Sequence, residues 1–161
     1  MLRFIPIMLL AGCATTYQPS GLSGGFTETR LDQNVFRVSF KGNGYTDTQR
    51  AEDFALLRSA ELTLKHGFTH FAIMSTRSDK NVSSFTTPVQ TITTGSATAF
   101  GNTAYGQART VTTGGQTFVT ENPTTTNTIF CFTGKPDGVF AYDAAFLVQS
   151  LSEKYELKLA P

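Results

Sequence analysis

The segment between residues 31 and 75 restricts the fold more than any other part of the chain. Apolar residues alternate with polar ones between residues 31 and 41, at Phe36, Val38 and Phe40. A period of two places these side chains on one face of an extended segment, so we expect a half-buried strand. A second apolar run, residues 68–75, predicts another strand that is more deeply buried.

A helix is expected between these two strands. Thr46 is followed three residues later by Gln49, and this spacing is that of a capping box, which predicts that the helix opens at Thr46. Gly67 follows the periodic segment and suits the position after a helix end. Between them, apolar residues recur at helical spacing, including Phe54, Leu57 and Leu64.

The C-terminal part of the chain adds a strand and a helix. We expect a strand over residues 128–133, because the apolar run 129–132 contains Cys131 and free cysteine is among the most often buried residue types. Asp143 is in position to cap a helix. Phe146, Leu147 and Leu151 share one face of this helix. The elements together predict an α+β fold: a small sheet with two helices packed on one face, plus a Thr/Gly-rich ribbon or loop insertion.

The insertion, residues 78–127, is rich in Ser, Thr and Gly. Residues 91–95 (TITTG) are echoed at residues 110–114 (TVTTG). One interpretation is a two-stranded ribbon with residues 96–106 as a mobile tip, because alternating Thr and Val or Ile favours extended structure. The other is disorder, because little apolar surface is available to offset the entropy of ordering.

The N-terminus has the pattern of an export signal. Arg3 precedes a short apolar run, and Leu10-Ala11-Gly12-Cys13 resembles the lipobox of bacterial lipoproteins. The resemblance implies cleavage after Gly12 and attachment of lipid to Cys13. The competing interpretation is a buried N-terminal strand with Cys13 as an ordinary core thiol. We expect a signal peptide over residues 1–12, an anchor and flexible tether over residues 13–25, and a single α+β domain over residues 26–161.

Charge and cysteine content exclude some classes of partner. Removing Arg3 with the leader reduces the 13 Lys and Arg residues to 12, which equals the 12 Asp and Glu residues. We expect no nucleic-acid partner, because the chain contains no basic cluster. Lipidation of Cys13 would leave Cys131 without a disulfide partner, so we expect Cys131 to be buried as a free thiol.

Three stretches resemble a known group of proteins. Residues 24–29 (GGFTET), 36–46 (FRVSFKGNGYT) and 50–62 (RAEDFALLRSAEL) are similar to the signature of a family of small, uncharacterised proteobacterial lipoproteins. The resemblance extends to the lipobox and, loosely, to the strand after the helix. It implies a lipoprotein and supplies no activity or site residues.

The helix carries the candidate interaction surface, which comprises Arg50, Glu52, Asp53, Arg58 and Glu61. The simplest role for these charges is a solvated face with local ion pairs, and for Asp53 we expect an ion pair with Arg37 or Arg58. We predict no catalytic residues, because no Ser, His and Asp set has the strand–turn–helix context of a nucleophile elbow.

Metal and cofactor sites are not predicted. His66 and His70 have the spacing of zinc ligands on a helix, but Gly67 is expected to end the helix between them. Gly42 and Gly44 lack the third glycine of a dinucleotide turn.

These expectations combine into one functional hypothesis. The chain would be a lipid-anchored protein of the outer membrane that faces the periplasm, where it serves as a protein-binding or structural module for an envelope partner. In the bacterial lipoproteins that the N-terminus resembles, an aspartate after the lipidated cysteine favours the inner membrane, and this chain has Ala14 instead. The alternative is an envelope enzyme or small-ligand-binding lipoprotein with a pocket beside Tyr45, Asp53 and His70. Between an enzyme and a protein without catalytic activity, the sequence favours the second.

Overall fold

The computed structural model describes residues 14–158 of the chain. Their elements, in chain order, are seven strands and two helices: β1 (Gly25–Arg30), β2 (Val35–Lys41), α1 (Thr48–Lys65), β3 (His70–Thr86), β4 (Gln90–Phe100), β5 (Thr103–Thr113), β6 (Thr117–Phe132), β7 (Tyr142–Asp143) and α2 (Ala144–Lys154). The α+β class is therefore confirmed. Cys13 and the expected signal peptide lie outside the described residues.

The described residues form two compact units, 14–81 with 121–158, and 82–120. The first unit is built on a sheet with strand order β1-β2-β6-β3-β7, while β4 and β5 form a separate two-stranded sheet in the second. β2 pairs antiparallel with β6, with Phe36 opposite Ile129 and Val38 opposite Asn127. The expected strand–helix–strand unit is present, and β6 lies between its two strands.

The core of the first unit combines side chains from strands and helices. One cluster joins Phe36, Val38, Phe71, Ile129 and Cys131 of the strands to Ala60, Leu62 and Ala144 of α1 and α2. A second cluster consists of Phe40, Ala51, Phe54 and Ala55. The predicted alternation in β2 is confirmed, because Phe36, Val38 and Phe40 are all buried while Arg37 and Lys41 are exposed.

The start of α1 differs from the expectation. Asp47 is the N-cap, and its carboxylate accepts a hydrogen bond from the Arg50 backbone N–H at 2.7 Å. The Thr46 hydroxyl instead accepts from the Thr15 N–H at 3.0 Å and donates to Asn43. Thr46 is therefore a buried link to the N-terminal segment, and the capping box was wrong. Gly67 ends the helix as predicted, with φ +81°.

Residues 14–25 do not form the tether that their composition predicts. Thr15 is buried and its hydroxyl donates to the Ser23 carbonyl at 2.7 Å. The Tyr17 ring lies 5.0 Å from Phe26 and 5.3 Å from Phe54, measured between ring centroids. Composition alone missed this segment, because a few buried side chains hold an otherwise polar stretch against the domain.

At the other end, Asp143 caps α2 as expected and accepts from the Phe146 N–H at 3.0 Å. Phe146, which we predicted to share a face with Leu151, is exposed, whereas Ala144 and Leu151 are buried. Within residues 14–158, neither helix is both long and apolar enough to span a membrane.

Candidate functional site

The five charged residues of the predicted helix surface do not form one surface. Arg58 donates to Glu28 at 2.7 Å and to Glu61 at 2.8 Å, which ties α1 to β1. Its guanidinium also lies 4.2 Å above the centre of the Phe26 ring, and the Tyr17 hydroxyl donates to Glu61. Arg58 and Glu61 therefore hold Tyr17 and β1 against the helix. Because the two charges are paired with each other and Arg58 also pairs with Glu28, they are largely neutralised within the chain.

Asp53 has a different partner from the one expected. Its carboxylate accepts from Lys154 Nζ at 2.6 Å, from the Tyr155 hydroxyl at 2.6 Å and from Gln49 at 3.0 Å. Arg37 and Arg58 take no part. Burial favours the neutral acid, but these hydrogen bonds outweigh it and hold the pKa of Asp53 below its ordinary value. The proposed ion pair to Arg37 or Arg58 was wrong because α2, distant in sequence, supplies the cation.

Arg50 packs against rings. Its guanidinium lies 5.1 Å from the centre of the Phe54 ring and 5.4 Å from that of Tyr155. Its Nε is the one buried side-chain nitrogen or oxygen in the described part of the chain without a hydrogen-bond partner. Arg50 thus makes cation–π contacts with the rings of Phe54 and Tyr155.

Glu52 faces a cleft between α1 and the sheet. The cleft has a volume of about 280 Å³. Its lining comes from α1, β3, β6 and β7, and comprises Gln49, Glu52, Asp53, Leu56, Ile73, Thr76, Thr125, Asn127 and Tyr142. Tyr45 and His70, which we had placed beside such a pocket, do not line it; of the three expected residues only Asp53 does.

The floor of the cleft is polar although it belongs to the buried face of the sheet. Thr125 and Asn127 are 1% and 3% exposed, and they continue the face that carries Ile129 and Cys131. The Thr76 hydroxyl donates to Asn127 Oδ1 at 3.0 Å. The Ser78 hydroxyl lies 3.2 Å from both Thr125 Oγ1 and Glu52 Oε1.

A shift of alternation in β3 produces this arrangement. Phe71 and Ile73 pack with the core cluster, so regular alternation would place Ser75 and Arg77 on the same face. Instead Thr76 and Ser78 face Asn127 and Thr125. One extra residue between Ile73 and Thr76, as in a β-bulge, accounts for the change, and bulges often redirect side chains at sites.

The second unit contains a long ribbon, formed by β4 and β5. Every residue of both strands is exposed. The register places Ile92 opposite Val111 and Thr93 opposite Thr110, so the echoed motifs lie in paired strands as the ribbon interpretation predicted. Where we expected a tip over residues 96–106, the strands continue to Phe100 and Thr103, and Gly101 at φ +60° with Asn102 closes a two-residue turn.

The two faces of the ribbon differ in chemistry. One face consists entirely of Thr, Gly and Ala in five cross-strand pairs: Thr91 with Thr112, Thr93 with Thr110, Gly95 with Ala108, Ala97 with Gly106, and Ala99 with Ala104. The other carries the larger side chains and an open groove of about 690 Å³ that includes Ile92, Arg109 and Val111. Arg109 is the single charged residue of segment 82–120.

The remaining sequence motifs have structural roles in the described residues. The His66 ring stacks on Phe36 with centroids 4.7 Å apart, while His70 Nδ1 lies 2.8 Å from the Thr69 hydroxyl. No group of three or more His, Cys, Asp and Glu side chains within residues 14–158 could hold a metal ion. Residues 21–25 match the letters Gly-x-Ser-x-Gly, but β1 follows them, whereas a nucleophile elbow leads into a helix.

Cys131 is buried as predicted, with a free thiol. Its sulfur lies 3.4 Å from the Thr63 hydroxyl on α1. Burial raises the pKa of this thiol, and the contact with Thr63 only partly opposes the rise. A protonated thiol in the core is a poor nucleophile, so Cys131 contributes to packing and not to chemistry.

Sequence reasoning missed most of the cleft, including Thr76, Asn127 and Tyr142, and also Ser78, which contacts Glu52 and Thr125. One signal was present: Thr125 and Asn127 share the parity of Ile129 and Cys131, so two polar residues continue an apolar face. Comparisons of the chain with family models, with curated proteins and with solved structures gave no match.

Proposed function

We propose that the chain is a lipid-anchored protein of the cell envelope, attached to the outer membrane through Cys13 and facing the periplasm. In this proposal residues 1–12 are the signal peptide, and the domain after it is a protein-binding or structural module. The anchor rests on the basic start, the short apolar run and the sequence Leu10-Ala11-Gly12-Cys13. It also rests on the resemblance of residues 36–62 to small proteobacterial lipoproteins.

The ribbon is the observation that carries the binding role. A two-stranded hairpin that is exposed on both faces is marginally stable in water. Its edges also present unpaired backbone groups, which proteins usually protect with charged side chains. β4 carries no charged residue and β5 only Arg109. Contact with an envelope protein would cover these edges and the exposed rings of Phe100 and Tyr105.

The helix surface is the weaker candidate for the same role. Arg58 and Glu61 are paired with each other, and Asp53 is bound by Lys154. We infer that α1 and α2 cover one face of the five-stranded sheet, because Ala60 and Ala144 share a cluster with Ile129. In this arrangement the helix charges serve mainly to join elements of the first unit.

The anchor is tested by Cys13→Ala in cells. The variant should move from the membrane fraction to the soluble fraction and lose metabolically incorporated fatty acid. Cys131→Ala is the matched control, since it removes the other cysteine and should leave the membrane fraction unchanged. An unchanged membrane fraction for Cys13→Ala contradicts the anchor.

The binding role is tested by site-specific photocrosslinking in native membranes. A photoreactive side chain at Ile92 or Thr93 samples the two ribbon faces, and one at Phe140 samples an exposed position in the first unit. We expect a protein adduct from the ribbon positions and not from Phe140, identified by mass spectrometry. If neither ribbon position gives an adduct, the ribbon is not the binding surface.

A further inference from the structure

We propose that the cleft between α1 and the sheet binds a small organic cation: a primary amine that carries a hydroxyl or carbonyl oxygen and a short apolar body. In this complex the ammonium group contacts Glu52, the oxygen accepts from Asn127, and the apolar body lies against Leu56, Ile73 and Tyr142. The inference is independent of the anchor and the ribbon, because every residue involved belongs to the first unit.

The charge of the cleft selects a cation. Glu52 is half-buried and forms no ion pair within residues 14–158; its one hydrogen bond comes from Ser78. The lining contains a second carboxylate, Asp53, and no Lys or Arg. Because Lys154 already neutralises Asp53, the uncompensated negative charge belongs to Glu52. An ammonium donor would satisfy this charge with a strong hydrogen bond.

Asn127 is the second, independent indication of a ligand. It is 3% exposed, and its Oδ1 accepts from Thr76, but no hydrogen bond among the described residues uses its Nδ2. Buried amide groups nearly always have partners. Within residues 14–158, Arg50 Nε is the one fully enclosed side-chain nitrogen or oxygen without a partner, so Asn127 Nδ2 is not fully enclosed. Because Asn127 lines the cleft, the oxygen of a molecule bound there would accept from Nδ2 in place of water.

Size and the apolar lining limit the ligand further. At about 280 Å³ the cleft lies just below the range of sites for drug-sized molecules, which is roughly 300–1,000 Å³, so it suits a ligand smaller than a drug. Leu56 and Ile73 supply apolar contact on opposite walls, one on α1 and one on β3. The Tyr142 ring is stacked on Phe71, with centroids 5.4 Å apart, and presents a rigid aromatic wall.

The test uses the full chain in detergent micelles and three related probes. 2-Amino-1-phenylethanol has the amine, the hydroxyl and the apolar ring, 1-phenylethanol lacks the amine, and 2-phenylethylamine lacks the hydroxyl. Titrations at pH 7 are followed by NMR through the Asn127 side-chain amide signals. We expect saturable binding of 2-amino-1-phenylethanol, at least tenfold weaker binding of 1-phenylethanol, and intermediate binding of 2-phenylethylamine.

Glu52→Gln is the decisive variant, because the amide keeps the size of the side chain and the bond to Ser78 while it removes the charge. It should weaken binding of 2-amino-1-phenylethanol about tenfold, as expected for loss of a charge-assisted contact. Glu153→Gln removes one charge at an exposed position of α2 and should leave binding unchanged. The proposal is overturned if no probe saturates, if 1-phenylethanol binds as tightly as the amine, or if Glu52→Gln binds like the wild type.

Discussion

Lys154 Nζ lies 2.6 Å from Oδ2 of Asp53, and this ion pair joins the last turn of α2 to the first half of α1 across 101 positions of sequence. The two ends of the pair differ in environment. The Asp53 side chain is 11% exposed, whereas that of Lys154 is 51% exposed. The carboxylate is thus the buried partner, and its loss should matter more than the loss of the ammonium group.

Asp53→Asn should lower the free energy of unfolding by about 2 kcal/mol, because hydrogen bonds to a charged group contribute roughly 1.5–3 kcal/mol. The amide cannot accept from Lys154 and Tyr155 with the strength of a carboxylate. Urea unfolding, followed by far-ultraviolet circular dichroism, measures the change. Glu52→Gln is the control at the neighbouring position, and it should change stability by less than about 0.5 kcal/mol. Equal effects of the two variants would contradict the prediction that the contacts of Asp53 with α2 stabilise the fold.

The same pair predicts how stability depends on pH. The pKa of Asp53 in the folded protein lies below its ordinary value of 3.8, so the unfolded chain takes up a proton at a higher pH than the folded protein does. The stabilisation from Asp53 is therefore complete above about pH 5 and is lost as pH falls through the lowered pKa. The difference in unfolding free energy between wild type and Asp53→Asn, measured from pH 7 to pH 2, should shrink in the acid range. A constant difference would contradict the lowered pKa.

Tyr17→Phe should lower the free energy of unfolding by about 1 kcal/mol, the typical contribution of one hydrogen bond. The substitution removes the hydroxyl that donates to Glu61 and keeps the ring between Phe26 and Phe54. Tyr45→Phe is the matched control, because the Tyr45 side chain is exposed. If both variants unfold at the same urea concentration, the hydrogen bond from Tyr17 to Glu61 does not contribute to the stability of the domain.

Gly114→Ala should disturb the base of the ribbon, where the backbones of Thr87 and Gln116 are hydrogen-bonded. Gly114 has φ +101°, and a Cβ there would lie 2.0 Å from the Pro88 carbonyl oxygen. A left-handed conformation costs an L-residue roughly 1–2 kcal/mol before this clash is counted. We expect loss of the hydrogen bond from the Thr87 N–H to the Gln116 carbonyl, seen as faster amide exchange at Thr87.

Gly106→Ala is the control for this substitution, since its Cβ would meet nothing closer than 3.8 Å and Gly106 has no positive φ. Its amide exchange at Thr87 should match that of the wild type. Unchanged exchange in Gly114→Ala as well would show that the base of the ribbon does not require the glycine.

Local patterns predicted most of the elements. The alternation of Phe36, Val38 and Phe40 specified the face of β2, because period two leaves no other arrangement with these side chains buried. Gly67 and Asp143 marked helix ends correctly, since caps depend on backbone groups a few residues away. The start of α1 was misplaced by one residue, because Thr46 and Asp47 are both good caps and the contact of Thr46 with Thr15 decided between them.

Much less of the candidate site than of the fold could be predicted from the sequence. The acidic residue Glu52 was named in advance, but its role depends on Thr76, Ser78 and Asn127, which the shift of alternation in β3 brings to the same face. An extra residue in a strand carries little sequence signal, since it depends on the pairing partner as much as on the strand itself.

The sequence by itself determined the α+β class, the faces of β2 and the burial of Cys131, because each depends on local periodicity or on an intrinsic preference for burial. Only the tertiary structure decided that Lys154 neutralises Asp53, that residues 14–25 pack against the domain and that Glu52 faces a polar cleft with no counterion among residues 14–158. These relationships join residues that are tens of positions apart. The topology of the chain brings them together, and local sequence patterns do not encode that topology.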